Sequence, residues 1–251
     1  MTLDDVLAAV VAQVSYLRAS VATTGDDWFG CDRLVSDPAV LAEVVQATKN
    51  GFATDDDAVA SSLFVQAYAF RVAGVALAAF ALDLPVPATA PEVTAVRLDK
   101  PRPSAVAYLS PEVRRLDAAA LAAELVGVHL REFVDAVHGA FRVGERLLWG
   151  NVAASCATAF RAVESSGTAA ADVAAAVRDR ADAFMSAADP WFDGLGGFTI
   201  VEYAGRTGWF WDRTSCCLWF RTKSEQLCDN CSLIDRAELR DRRVQELTGS
   251  A

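Results

Sequence analysis

Apolar residues Leu3, Val6, Leu7, Val10, Val11, Val14 and Leu17 recur at three- and four-residue steps, which predicts an amphipathic helix over residues 3–21 with Asp4 and Asp5 at its positive end. A loop through Gly25, Trp28, Gly30 and Cys31 follows. Ser36-Asp37-Pro38 then starts a second helix, because proline in a first turn lacks only an N–H that has no helical partner there, and Asn50-Gly51 ends it. Residues 55–83 read as a third, long helix, alanine-rich and almost wholly apolar from Val65 onward, so its neighbours must enclose it. The apolar run at 63–82 is interrupted by Gln66 and Arg71, and an arginine near a bilayer centre costs about 2.5 kcal/mol or more. A core helix is expected, with no transmembrane segment.

The texture changes after residue 83. Six of the eight prolines (Pro85, Pro87, Pro91, Pro101, Pro103 and Pro111) fall between residues 84 and 112, with β-favouring runs at 93–98 and 105–109. Asp99-Lys100-Pro101-Arg102 supplies a turn between them, which predicts a linker leading into a β-hairpin of short or edge strands. Helical periods return at 117–137 and 143–163, broken near His138-Gly139, and again at 169–187 before Asp189-Pro190. Residues 198–203 and 209–221 are dense in aromatic and β-branched side chains on either side of Gly205-Arg-Thr-Gly208, which predicts two strands or a short hairpin. Residues 235–247 alternate acids and arginines around few apolar positions, the pattern of a solvated terminal helix. The expected fold class is α+β, predominantly α-helical, with a small β-hairpin or sheet and a cysteine-rich C-terminal segment. Three regions are expected, 1–83, 84–197 and 198–251, which can fold as one domain.

A chain of 251 residues buries enough surface to fold without covalent staples. Its net charge of −10, from 23 Lys and Arg against 33 Asp and Glu, gives a nucleic-acid partner no help from the overall field. Asp4 and Asp5 stand where a secretory signal carries Lys or Arg, and no small-residue cleavage site follows an apolar core. A cytoplasmic protein with reduced thiols is the expectation.

Four of the six cysteines, Cys216, Cys217, Cys228 and Cys231, lie within sixteen residues as C-C-x10-C-x2-C. Structural zinc, an iron-sulfur cluster and a regulatory disulfide compete for them. A four-cysteine zinc site is usually assembled from two C-x2-C turns, and only Cys228-Asp-Asn-Cys231 has that form. Adjacent cysteines converge poorly on one small ion, whereas two irons bridged by sulfide divide four thiolates between them. Asp229 and Asn230 suit a tight turn whose N–H groups face sulfur. Arg213, Arg221, Lys223 and Arg236 could offset thiolate charge or be ordinary surface charge. Trp209, Phe210, Trp211, Trp219 and Phe220 could limit water access or simply form the hairpin's core. His129 and His138 are the only histidines, and with four thiols available neither is needed as a ligand. Cys31 and Cys156 lack partners at ligand spacing, and Cys156 reads as a small hydrophobe on an apolar helix.

The segment Arg213-Thr-Ser-Cys216-Cys217-Leu218, with Leu227-Cys228-Asp-Asn-Cys231-Ser-Leu233, resembles the C-terminal [2Fe-2S] motif of the FhuF family of ferric-siderophore reductases. Leu147-Leu-Trp149-Gly-Asn151 resembles an internal Trp-x-Asn signature of the same family. The resemblance implies a [2Fe-2S] cluster on Cys216, Cys217, Cys228 and Cys231 that passes one electron to siderophore-bound Fe(III), with no catalytic side chain beyond the cluster ligands. It implies a ferric siderophore as substrate and an electron donor such as a ferredoxin, flavodoxin or flavin reductase, with room for transient contact at the inner membrane face. Trp149 and Asn151 are candidates for a siderophore pocket, although packing of the indole and capping by the amide explain them about as well. The competing class is a zinc-stabilised four-cysteine binding module without redox activity.

Overall fold

The computed structural model describes residues 1–99, 101–166 and 171–249. Helix α1 (Leu3–Gln13) begins in a capping box, with Thr2 Oγ1 accepting from Asp5 N–H and the Asp5 carboxylate accepting from Thr2 N–H. It stops well short of residue 21. Val14 and Leu17 are buried as their spacing predicts, but from a turn that leads into β1 (Ala19–Ser20). The loop expected at 25–31 holds two further elements, β2 (Trp28–Gly30) and α2 (Cys31–Ser36). Asp37 caps α3 (Pro38–Phe52) by accepting from Ala39 and Val40 N–H, and Asp56 caps α4 (Asp57–Ala81) in the same way.

Short strands β3 (Val86–Pro87) and β6 (Val113–Arg114) pair antiparallel around the predicted hairpin, β4 (Thr94–Asp99) and β5 (Arg102–Tyr108). The hairpin's turn residue Lys100 lies outside the described residues. β1 joins β5 in parallel and β2 joins β4 antiparallel, giving a four-stranded sheet in the order β1-β5-β4-β2. Pairing on both sides makes β4 and β5 the sheet's inner strands rather than the edge strands that the prolines suggest; Pro103 is accommodated beside a register shift after Arg97.

Helix α5 (Ala118–Leu121) passes through a π-helical stretch, Ala122–Leu130, into α6 (Arg131–Phe141). The break falls at Arg142, whose φ of 53° is left-handed, and not at His138-Gly139, which stay helical. Then follow α7 (Glu145–Glu164), α8 (Ala171–Ala187) and α9 (Asp189–Phe192); the expected start of α8 at 169 lies outside the described residues. β7 (Gly196–Tyr203) and β8 (Arg206–Arg213) form a hairpin on a two-residue turn, Ala204-Gly205, with φ of 49° and 76°. Two positive φ values define the tight primed turn that matches strand twist. β8 therefore starts earlier than expected and ends at Arg213, not 221. Asp235 caps α10 (Arg236–Thr248), which is not wholly solvated: Arg243 is buried, pairs with Asp212 and lies over the Phe210 ring at 5.1 Å.

One apolar cluster runs from Leu3 to Trp211, with α4 at its centre and packed chiefly on α7. Among the described residues α4 is the helix long and apolar enough to cross a membrane, and 72% of its most apolar window is buried inside the protein.

Candidate metal centre

The cysteine loop leaves β8 and is pinned at once. Thr214 N–H donates to Leu195 O and its hydroxyl to Gly194 O, at 3.0 and 2.7 Å. Buried Arg213 donates from Nε to Ser215 O and from Nη2 to Asn151 Oδ1, both at 2.6 Å. Asn151, also fully buried on α7, donates through Nδ2 to the carbonyl and hydroxyl oxygens of Ser62 at 2.9 and 2.8 Å. Ser62 in turn donates its hydroxyl to Cys217 O at 2.8 Å. A charge-assisted, fully enclosed network thus joins α4, α7 and the loop, and leaving any member unpaired would carry its full desolvation cost. Gly150 permits the close approach, since a Cβ there would lie 1.8 Å from Ser215 Oγ.

Beyond Cys217 the chain turns at Leu218, left-handed at φ 65°, into a short 3-10 turn over Trp219–Arg221. Leu218 N–H donates to Cys216 Sγ at 3.3 Å, a backbone bond of the kind that tunes a thiolate ligand. Trp219 meets Phe52 edge-on at 5.3 Å, and Arg221 pairs with Asp56 at 2.6 Å, so the loop is tied to the ends of α3 and α4. A second turn, closed by Cys231 N–H to Cys228 O at 3.1 Å, returns Cys228 and Cys231 to the first pair.

The sulfurs of Cys217 and Cys228 stand 3.6 Å apart. Two sulfurs bonded at about 2.3 Å to one tetrahedral metal are separated by roughly 3.8 Å. Among the described residues no three His, Cys, Asp or Glu side chains close on one point as ligands of a single ion. This donor set of four soft thiols, two of them meeting at the spacing of ligands on a shared metal, fits a two-iron centre better than one tetrahedral ion. Cys217 and Cys231 are buried, Cys216 and Cys228 half-buried. The contact with Cys228 holds the Cys217 thiol low, with help from the Arg213 guanidinium, while the same contact and burial push Cys228 up. Burial also raises Cys216. Arg213 is therefore the cation that reaches the thiols, and its buried Nη1 has no partner among the described residues. Arg221 is engaged with Asp56, and Lys223 and Arg236 are exposed.

Depressions adjoin the loop among the described residues. The first, about 500 Å³, opens on Cys217, Cys228 and Trp219 and extends along α4 past Gln66 to Arg71. A second, about 1140 Å³, opens on Cys231 and is lined by Arg236, Arg240 and Arg243 of α10 together with Glu202 and Asp212. The third, about 730 Å³, shares Cys228 and Asp229 with the first. Trp209 and Trp211 pack with Phe198 at 3.7 and 5.0 Å as core of the hairpin, so of the candidate aromatics it is Trp219 that walls the first depression. Trp149 packs on Phe192, and Asn151 holds the loop rather than lining a pocket.

The remaining candidates serve the core. His129 is buried between Tyr68 Oη, 2.6 Å from Nε2, and Thr89 O, 2.5 Å from Nδ1, and burial pushes it down to about 4. His138 donates Nδ1 to Val143 O at 2.7 Å, closing the end of α6. Cys31 and Cys156 are fully buried, the first pushed up to about 11 by burial and the second also raised.

Residues 62–191 match the family described as ferric iron reductase FhuF-like transporter. That stretch covers more than half of the chain. The chain belongs to the FhuF-like family. Residues 213–233 match the FhuF 2Fe-2S C-terminal domain, and the cofactor of this segment is a [2Fe-2S] cluster. The buried network joins the two matched stretches, with Ser62 and Asn151 in one and Arg213 and Cys217 in the other. No curated protein matches the chain. Of the residues that organise the FhuF-like site, Ser62, Gly150 and Ser215 escape sequence reasoning. The signal for Ser62 is a hydroxyl inside a largely apolar helix, shared with its neighbour Ser61; Gly150 and Ser215 carry none apart from adjacency to Asn151 and Cys216.

Proposed function

We propose that this chain is a cytoplasmic ferric-siderophore reductase in which Cys216, Cys217, Cys228 and Cys231 would hold the cluster. When bound, the [2Fe-2S] cluster supplies single electrons at a potential set by its ligands and surroundings. The observation that carries the reading is the 3.6 Å approach of Cys217 and Cys228 at the mouth of a cavity large enough for a small chelate. The protein's own part is positional. Arg213 offsets thiolate charge from a buried seat, Leu218 N–H steadies Cys216, and Trp219 shields one flank of the sulfur pair. Gln66 and Thr158 offer polar groups along the cavity toward a chelate lodged against the thiols.

Reduction of Fe(III) to Fe(II) consumes one electron and needs no general acid, base or nucleophile. The hard oxygen donors of a siderophore favour the more highly charged ion, so the ferrous product is released more readily. The electron comes from a reduced partner such as a ferredoxin, flavodoxin or flavin reductase. The test is anaerobic purification with iron, zinc and acid-labile sulfide analysis, followed by mixing of the reduced protein with ferric siderophores and a ferrous-specific chromogenic chelator. Bleached absorbance should return as ferrous iron appears. Stoichiometric zinc without sulfide, or a reduced protein that no ferric chelate reoxidises, would sink the reading.

A further inference from the structure

The cavity beside Cys217 and Cys228 is lined at its other end by arginines that make no ion pair among the described residues. Helix α4 lines it from Leu63, next to the cysteine loop, to Arg71, eight residues and roughly 12 Å away at the α-helical rise. Around Arg71 the wall is completed by Phe70, Arg102 and Pro103. Arg71 is half-buried and donates to Tyr16 O at 2.8 Å and Pro103 O at 3.3 Å, which fix its guanidinium 5.4 Å from the Phe70 ring centroid. Burial, and after it repulsion from Arg102 and Arg18, lower the pKa of Arg71. Among the described residues none of Arg18, Arg71 and Arg102 has a carboxylate at ion-pair distance, although the chain carries ten more acids than bases. Arg71 is partly desolvated while Arg18 and Arg102 are exposed, and a half-buried cation with two like charges near it is a seat that an anion can complete.

We propose that the substrate is a net-anionic ferric chelate, its carboxylate or catecholate oxygens held by Arg71 and Arg102 while its iron lies toward Cys217 and Cys228. This deepens the reductase reading and rests on it. A thiolate-ligated cluster is itself negative and repels such a chelate, so attraction has to come from elsewhere in the cavity. Guanidinium groups present planar forks that match paired oxygen ligands, and Phe70 and Trp219 give aromatic faces for catechol rings. Asp229, beside Cys228, is the carboxylate on this lining and steers negative groups toward the arginine end. One electron passes from the reduced protein to Fe(III), and the chelate leaves one unit more negative.

Gallium(III) complexes keep the charge of the ferric chelates without accepting the electron, so binding is read apart from activity. The cluster-loaded protein is titrated calorimetrically with gallium tris-catecholate, charge −3, and with neutral gallium tris-acetohydroxamate. The trianion should bind at least about tenfold more tightly, and Arg102→Gln should cost it about tenfold while leaving the neutral complex unchanged, the loss of one charge-assisted contact. Arg102 is exposed and its side chain makes no hydrogen bond among the described residues, so this variant retains the fold. Arg71→Lys, which keeps charge without the fork, should weaken the trianion less than Arg71→Gln. Equal affinity for both complexes overturns the proposal. So does an Arg102→Gln protein whose cluster potential shifts while trianion binding stays the same, because Arg102 would then serve the cluster's own charge. If a neutral ferric chelate reoxidises the reduced protein as fast as an anionic one, the charge assignment fails and the reductase reading stands; if no ferric chelate does so, both fail.

Discussion

A methyl group on Gly150 would put carbon 1.8 Å from Ser215 Oγ and 2.9 Å from its Cβ, too close for the short serine side chain to swing clear. Gly150→Ala should therefore push the cysteine loop off α7 and destabilise the fold by about 1–3 kcal/mol, the usual cost of overpacking. Iron and sulfide per chain should fall further than the denaturation midpoint suggests; an alanine variant with full cluster content and unchanged stability would contradict the close seat. The neighbouring Asn151 shows what sequence can and cannot reveal at this scale. Its place in a Trp-x-Asn pattern marks it, but its partners are 89 and 62 residues away in the chain. A contact that depends on how α4 and α7 cross leaves no local trace. The cysteines are different, because ligand chemistry needs several thiols close together and two short turns supply them.

Elements whose signal lies in their own residues were legible. Asp37 announces its helix because an N-cap side chain bonds the next turn, and the apolar run of α4 declares a central helix whatever surrounds it. α1 was over-extended because Val14 and Leu17 keep helical spacing while serving the core from a turn, and β1, β2 and α2 were missed because strands of two or three residues exist only through partners across the sheet. The same logic hides the π-helical stretch, whose apolar spacing differs little from an α-helix. Asp56 serves two elements at once, capping α4 and pairing with Arg221 of the loop. Asp56→Ala should cost about 1 kcal/mol or slightly more, whereas Asp56→Asn, which keeps the cap and loses an exposed pair, should cost well under that. Equal losses in urea denaturation would show that the ion pair, not the cap, dominates.

At the scale of the whole molecule the helical core and the thiol loop are separable in what holds them. Cys217→Ser should lose the cluster's visible spectrum while the far-UV helical signal persists, since the apolar cluster from Leu3 to Trp211 does not depend on metal; wholesale unfolding would refute that. Acid should act on the core instead. His129 falls from 6.5 in the unfolded chain to about 4 in the fold, so the unfolded state binds more protons across that window and stability declines as pH drops through it. The full decline is about 3 kcal/mol at 1.36 kcal/mol per unit, and His129→Gln should flatten this part of the stability profile between pH 6.5 and 4. An identical profile for the variant would place the acid sensitivity elsewhere. Last, Cys217 and Cys231 open onto depressions with no lining residue in common. On the proposed reductase reading, an acceptor seated on the Cys217 side leaves the Cys231 side, lined by Arg236 and Arg240 of α10, open to the electron donor. Steady-state rates should then rise to a plateau with chelate concentration; a downturn at high chelate, relieved by more donor, would reveal that the two compete for one face.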